Sequence, residues 1–252
     1  MSSKTYFITG ANRGIGFELV NQFLLDSSHN VVIATARDPS KATALKELSS
    51  RNKNLHIIQL DVSKEDSIET IDSQLSKITD SVDVFISNAA IADSFDKIVD
   101  TPSKVWESHY STNVLGAILV FQKLHKYLVK GTSKDVVFIT SIAGTFTQFF
   151  PLSASAYGQS KAALNYTVKE LSFEHEPEGF KVVAVHPGAV STEGGVVAVN
   201  KMAEKAPEVI KALEAMIITP QESASKLKDF VNSLGPKNNG LIYNYDGTQL
   251  GF

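Results

Sequence analysis

Short apolar runs alternate with stretches of helical period along nearly the whole chain, and this alternation constrains the fold more than any other feature. Strands are predicted near 4–9, 30–35, 55–60, 82–86, 135–140, 180–185 and 240–244, and helices near 14–25, 41–50, 64–78, 103–129, 155–175 and 220–233. Repeated β-α alternation builds a parallel sheet with helices on both faces. The runs Val31-Val32-Ile33, Val136-Val137-Phe138-Ile139 and Val182-Val183-Ala184-Val185 are apolar at every position, as strands buried on both sides must be. No linker or low-complexity segment interrupts the pattern, so residues 1–252 are read as one domain. The long exception, Pro187 to Pro220, opens with glycines and small residues and continues as a helical stretch rich in Lys, Glu and Ala. An insertion past the C-terminal end of a strand is where a substrate lid would form, here about residues 188–219.

Two local motifs carry chemistry. The opening run Lys4 to Thr9 breaks into Gly10-Ala11-Asn12-Arg13-Gly14-Ile15-Gly16 and then into a helical pattern, the strand, glycine turn and helix that a dinucleotide site needs. Gly10 would permit the tight turn, Gly14 the close approach of backbone to a pyrophosphate, and Gly16 close packing, with phosphates at the helix N-terminus. The same glycines also suit a plain connection. The second motif is Tyr157-Gly158-Gln159-Ser160-Lys161, which stacks a phenol and an ammonium one helical turn apart. A fixed cation would lower a phenol from its ordinary value near ~10 and make the pair an acid/base device. Tyr and Lys at this spacing equally describe a packed ring beside a solvated charge.

The net charge of −3 and the lack of a basic run exclude the electrostatic footprint of a nucleic-acid binder and leave a small molecule as the expected partner. The chain has no Cys, which rules out disulfides, thiolate catalysis and Cys-ligated metal. No apolar run approaches the ~18 residues of a membrane span and no apolar signal segment precedes the first strand, so a cytoplasmic protein without membrane contact is expected. His56, His109, His125, His175 and His186 are scattered in sequence and none is assigned to catalysis or to a metal.

Thr9-Gly10 to Gly16, Asn88-Ala89-Ala90, Asn113, Ser141, Tyr157-x-x-x-Lys161 and Pro187-Gly188 together, in this order and from residue 4 to the end, resemble the short-chain dehydrogenase/reductase family. The segments His186 to Thr192 and Asn244-Tyr245-Asp246-Gly247 resemble its NADPH-dependent carbonyl-reductase branch, which includes the sniffer and C-factor proteins. The resemblance implies a doubly wound Rossmann fold of about seven parallel strands. It also implies Ser141, Tyr157, Lys161 and Asn113 as the catalytic set: Ser141 bonds the substrate carbonyl, Tyr157 donates the proton, Lys161 holds the nicotinamide ribose, and Asn113 bends its helix and keeps a water near the lysine. By the same resemblance Gly10, Asn12, Arg13, Gly14, Ile15, Gly16, Asp61, Val62, Asn88, Ala89, Pro187, Gly188, Val190 and Thr192 contact the cofactor, with Thr192 and the Val190 backbone on the carboxamide. Ala90 departs from the glycine many members have there. A surface Asn at 113 and an ordinary helix cap at Asp61 are the plain alternatives.

The strand near 30–35 ends in Ala36-Arg37-Asp38, where a dinucleotide fold meets the adenine ribose. Ala36 has no carboxylate for the ribose hydroxyls and Arg37 offers a planar fork suited to a 2′-phosphate, which favours NADP(H). Arg13 would add a second cation to that phosphate, as the resemblance implies, while Asp38 on the ribose is the competing arrangement. Phe146, Phe149 and Phe150, with Leu152, fall in the loop between Ser141 and Tyr157 and are either satellite core or an apolar substrate wall. The expected activity is NADPH-dependent reduction of a ketone or aldehyde, preferably a hydrophobic or aromatic one such as a keto ester or diketone, by a homodimer or tetramer. A non-catalytic NADP(H) sensor on the same fold is the alternative of a different class, and a Rossmann-like methyltransferase a third.

Overall fold

The computed structural model describes residues 3–147, 149, 153–203 and 215–252. Its strands are β1 Thr5–Ile8, β2 Val31–Ala36, β3 Leu55–Gln59, β4 Val84–Ser87, β5 Asp135–Ile139, β6 Lys181–His186, β7 Ala189–Val190, β8 Ile217–Ile218, β9 Ile242–Asn244 and β10 Gln249–Leu250. The helices are α1 Gly14–Asp26, α2 Thr43–Arg51, α3 Glu65–Glu69, α4 Ile71–Leu75, α5 Ser103–Tyr110, α6 Gly116–Leu128, α7 Ser155–Glu174, α8 Glu193–Ala203 and α9 Pro220–Asn232.

Eight strands form one sheet in the order β10-β9-β6-β5-β4-β1-β2-β3, parallel except for the edge strand β10, which the sequence reading did not foresee. Gly247, at φ +85°, sits in the tight return from β9 to β10, with its N–H donating to Asn244 O at 2.9 Å. The chain runs outward from β1 to β3 and then returns to place β4 on the other side of β1. That reversal opens a crevice above the C-terminal ends of β1 and β4.

Successive strand residues alternate between two cores, as a pleat of period two requires. Tyr6 and Ile8 pack with Val84, Ile86 and Val137 under α1, α2 and α9, while Phe7 and Phe85 pack with Val136 and Phe138 under α3, α4, α6 and α7. In the second core Phe7, Phe85 and Phe138 run across three neighbouring strands edge to face, with centroids 6.1 Å apart at each step.

Two helices predicted as continuous are broken. The 64–78 stretch divides into α3 and α4 at Thr70, whose hydroxyl donates to Ser67 O at 2.7 Å. The 103–129 stretch is interrupted at Ser111–Leu115 by one wider, π-helical turn that contains Asn113. Beyond it Gly116 passes against the next layer so closely that a Cβ there would lie 2.2 Å from Val62 O.

Candidate active site

The turn after β1 is shaped by glycine at the positions where a side chain has no room. Gly10 has φ +64° and a Cβ would lie 2.8 Å from Ala89 Cα. Gly16 packs onto Gly10 O and Asn88 Nδ2, where a Cβ would stand at 2.4 and 2.5 Å. Asn88 fastens this turn to β4: its Nδ2 donates to Thr9 O and Gly10 O at 2.9 and 3.1 Å, and Thr9 Oγ1 accepts from the N–H groups of Asn88 and Ala89 at 3.0 Å. Arg13 begins α1 without a side-chain cap, so the first N–H groups of the helix keep their capacity to bind an anion in the crevice. Asn12, Ile15, Gly14 and Thr192 border the same space, with Thr192 Cγ2 only 3.0 Å from a Cβ placed on Gly14.

At the far end of β2, Arg37 lines the cleft, whereas Asp38 folds into its own turn. Asp38 Oδ1 accepts from Ser40 N at 3.0 Å and Ser40 Oγ at 2.5 Å, and these bonds hold its carboxyl below the usual range. Asp61 and Val62 also line the cleft, although Asp61 caps Ser63 as an ordinary Asx turn, at 3.0 Å to its N–H and 2.7 Å to its hydroxyl. Arg13 differs from expectation. Its guanidinium pairs with Glu193 at the start of α8, because that helix folds back over the turn.

Ser141 follows β5 and caps the short turn Ile142–Gly144, accepting from Ala143 N at 3.2 Å. The opposite-facing Thr140 commits its hydroxyl to Asn165 Oδ1 at 2.5 Å. Gly144 presses that turn onto α7, where a Cβ would lie 2.6 Å from Lys161 C, and so brings Ser141 to Tyr157 despite the long intervening loop. Lys161 is buried and its Nζ donates to Ile139 O at 2.8 Å, 5.9 Å from the centre of the Tyr157 ring. Burial pushes the ammonium down to about 8. The expected lowering of the phenol does not occur in the protein alone: burial raises Tyr157, and only its hydrogen bond with Ser141 works against that. In the protein alone the lysine ammonium is held at the end of β5 by Ile139 O.

Asn113 is no surface residue. It is 1% exposed, accepts from Ile91 N at 2.8 Å, and donates through Nδ2 to Ile91 O and Ser160 Oγ, both at 2.9 Å. Ser160 in turn donates to Tyr157 O at 2.7 Å, so the π-helical turn braces the helix that carries the phenol. Phe95 and His109 flank the Tyr157 ring at 6.2 and 6.5 Å, His109 being held by Val105 O at 2.8 Å and lying 3.3 Å from Asp93 Oδ1. The sequence reading missed Phe95 and Asp93, since residues 91–100 carry neither periodicity nor a motif that separates them from ordinary loop, and it left His109, inside the predicted 103–129 helix, without a role.

These elements enclose one cleft of about 1670 Å³ that runs from Arg37 past the glycine turn to Ser141, Tyr157 and Lys161. Pro187, Gly188 and Val190 line its near wall; β7 pairs with β8, and Ser223 Oγ donates to Pro187 O at 2.6 Å, which anchors the wall on α9. The length, the uncapped helix N-terminus and the glycine-rich turn suit an extended dinucleotide together with a small substrate. Phe146 and Phe149 border the end that holds Ser141 and Tyr157 and are 81% and 77% exposed, so they are rim and not satellite core. Phe150 and Leu152 lie outside the described residues, as does part of the predicted lid, residues 204–214.

Residues 4–203 match the family model for short chain dehydrogenase. An uncharacterized oxidoreductase of Schizosaccharomyces pombe is 50% identical over 251 residues, covering 100% of this chain and 99% of that protein. Among solved structures, the carbonyl reductase Sniffer of D. melanogaster is similar with a TM-score of 0.88 at 25% identity, covering 100% of both chains. The NADPH-bound carbonyl reductase from chicken fatty liver is similar with a TM-score of 0.85 at 28% identity, again over 100% of both chains. The chain belongs to the short-chain dehydrogenase family and is an oxidoreductase.

Proposed function

We propose that this protein is an NADPH-dependent carbonyl reductase that converts hydrophobic ketones or aldehydes to alcohols. The observation that carries this reading is the convergence of Ser141, Tyr157 and Lys161 at one end of a cleft whose other end is the glycine turn and Arg37. The comparison with the NADPH-bound chicken enzyme supports the same choice of cofactor. When bound, the reduced nicotinamide supplies a hydride, two electrons and one hydrogen, to the carbonyl carbon. Tyr157 gives its hydroxyl proton to the carbonyl oxygen and regains one from solvent, while Ser141 donates a second hydrogen bond to that oxygen. A phenol raised by burial is protonated throughout the neutral range, the form reduction requires. Lys161 holds the ribose, and its charge favours the transient phenolate.

Arg37 holds the 2′-phosphate, since Ala36 offers the ribose no carboxylate and Asp38 is spent on its own turn. Arg13 reaches the same phosphate by giving up its pairing with Glu193. Gly10, Asn12, Gly14, Ile15 and Gly16 take the pyrophosphate, Asp61, Val62, Asn88 and Ala89 the adenosine side, and Pro187, Gly188, Val190 and Thr192 the carboxamide. Phe146 and Phe149, with Phe95, Met216 and Ile217, give the substrate an apolar border suited to aromatic ketones, keto esters or diketones.

Among the described residues no helix is long and apolar enough to cross a membrane. A cytoplasmic location is part of this reading, and so is a homodimer or tetramer: Tyr166 and Phe173, two turns apart on α7 and exposed, offer an apolar stripe to a second copy. The experiment is to mix the protein with NADPH and a panel of ketones and aldehydes and follow the loss of NADPH absorbance. Turnover of aromatic ketones is expected. NADPH binding without turnover of any carbonyl would replace the enzyme by the dinucleotide-sensor alternative.

A further inference from the structure

The histidines that look scattered in sequence are partly gathered by the fold. His125 lies in the last turn of α6, His175 immediately after α7, and Glu178 in the turn that leads into β6. Because β5 and β6 start close to these helix ends, the cluster stands at the end of the sheet opposite the cleft, which lies where the strands finish. The two imidazole nitrogens and the carboxylate oxygen fall within 4.8 Å of one another. Glu178 Oε1 is 2.6 Å from His175 Nδ1, and its Oε2 is 3.3 Å from His125 Nε2. His125 Nε2 is shielded from solvent and has no hydrogen-bond partner among the described residues, so a buried imidazole nitrogen faces a carboxylate oxygen without an aligned bond between them.

The rings are held in place by packing. His125 stacks on Phe180 with centroids 5.5 Å apart and planes at 6°, His175 leans on the same ring at 5.4 Å, and Phe121 meets both imidazoles edge-on at 5.9 and 5.3 Å. Phe121 and Phe180 are themselves buried, so this frame fixes the imidazoles while Glu178 remains open to solvent. We propose that His125, His175 and Glu178 form a binding site for a borderline divalent transition metal, Zn²⁺ in the first instance, that clamps the C-terminal ends of α6 and α7 to the start of β6.

The chemistry follows from the donor set. Zn²⁺ takes imidazole nitrogen and carboxylate oxygen at about 2.0–2.2 Å, which sets neighbouring ligand atoms on a tetrahedron roughly 3.3 Å apart. The 3.3 Å gap between Glu178 Oε2 and His125 Nε2 matches that spacing, while the 2.6 Å contact between Glu178 Oε1 and His175 Nδ1 is a hydrogen bond that the metal would replace. Two imidazoles disfavour Mg²⁺ and Ca²⁺, which take oxygen ligands. Solvent supplies the remaining coordination on the exposed side. The site is remote from Tyr157, so its role is to tie three elements together and not to act on substrate.

Calorimetric titration of tag-free, chelator-treated protein with Zn²⁺ tests this directly. One saturable site of micromolar affinity or tighter is expected, with Tm rising with Zn²⁺ concentration and Mg²⁺ without effect. His125→Gln and His175→Gln should each weaken binding about 100-fold, by analogy with the 10–100-fold effects of losing even outer partners. Glu178→Gln, at an exposed position, keeps the fold testable should either histidine variant fail to fold, and it should remove most of the Tm rise. Co²⁺ added to the unaltered protein should develop the visible absorption of a low-coordinate imidazole site. Non-saturable binding, a colourless Co²⁺ complex, or wild-type affinity in the variants overturns the proposal.

Discussion

The wall of the cleft made by the end of β5, the π-helical turn and α7 keeps its polar groups buried and committed to fixed partners, whereas the rim made by Phe146, Phe149 and the start of α8 presents its groups to solvent. Asn113 and Lys161 are 1% and 3% exposed and bonded to Ile91, Ser160 and Ile139. At the rim the Phe146 and Phe149 rings stand out, and the Arg13–Glu193 pair spans the entrance with both side chains largely in water. The difference separates two tasks. A proton donor must be held to within a fraction of an ångström, which requires buried, satisfied neighbours, while a surface that accepts varied hydrophobic molecules gains little from rigidity. Substitutions in the wall should therefore act on kcat, and substitutions at the rim on KM.

The largest effect should come from Tyr157→Phe, which keeps the ring but removes the proton. Turnover should fall at least ~100-fold, the scale of general acid catalysis, with NADPH affinity nearly unchanged. Ser141→Ala should also impair turnover, and Lys161→Ala both turnover and cofactor binding. Near-normal kcat in Tyr157→Phe would sink the assignment of the wall. At the adenine end, Arg37→Ala should lower kcat/KM for NADPH by one to two decades and leave NADH little affected, since a charge-assisted contact is worth roughly 1.5 to 3 kcal/mol. Adding Ala36→Asp should move preference further towards NADH. A wild type that already prefers NADH would contradict the cofactor choice.

The pH profile sharpens the comparison. Lys161, lowered from 10.5 to about 8 by burial, is charged below that value and neutral above it. Reduction at limiting NADPH should thus hold level through neutrality and fall as pH rises past about 8. Lys161→Arg, whose charge persists, should carry the fall to higher pH even if its rate is lower. A profile flat to pH 10 in the wild type would show that the lysine charge is not needed.

Smaller changes are expected at the rim. Phe149→Ala should raise KM for aromatic ketones a few-fold and leave that of a small ketone alone, on the scale of about 0.8 kcal/mol per buried methylene. Equal changes for both would return the substrate question to the α8 segment. Smallest of all, Glu193→Gln should lower KM for NADPH by at most about fivefold, because an exposed ion pair is worth about 0–1 kcal/mol and its loss frees Arg13 for the phosphate. Unchanged or weaker NADPH binding there would mean that Arg13 does not serve the cofactor.

The sequence alone determined the β-α alternation, the glycine turn and the phenol and ammonium one helical turn apart, because periodicity, positive φ and helical stacking are local properties of the chain. Gly10 needs its conformation whatever packs above it, and Val182 to Val185 read as a doubly buried strand before any partner is known. Tertiary structure decided the rest, because burial and pairing depend on which distant segments meet. Asn113 reads as a mediocre helix residue until Ile91 and Ser160 close around it. Arg13 reads as a phosphate ligand until α8 delivers Glu193, and a lysine four residues from a tyrosine reads as a neighbouring charge until burial turns its ammonium to Ile139 O and raises the phenol. His125 and His175, fifty positions apart, become neighbours only because α6 and α7 finish at the same end of the sheet, a juxtaposition for which no local pattern exists.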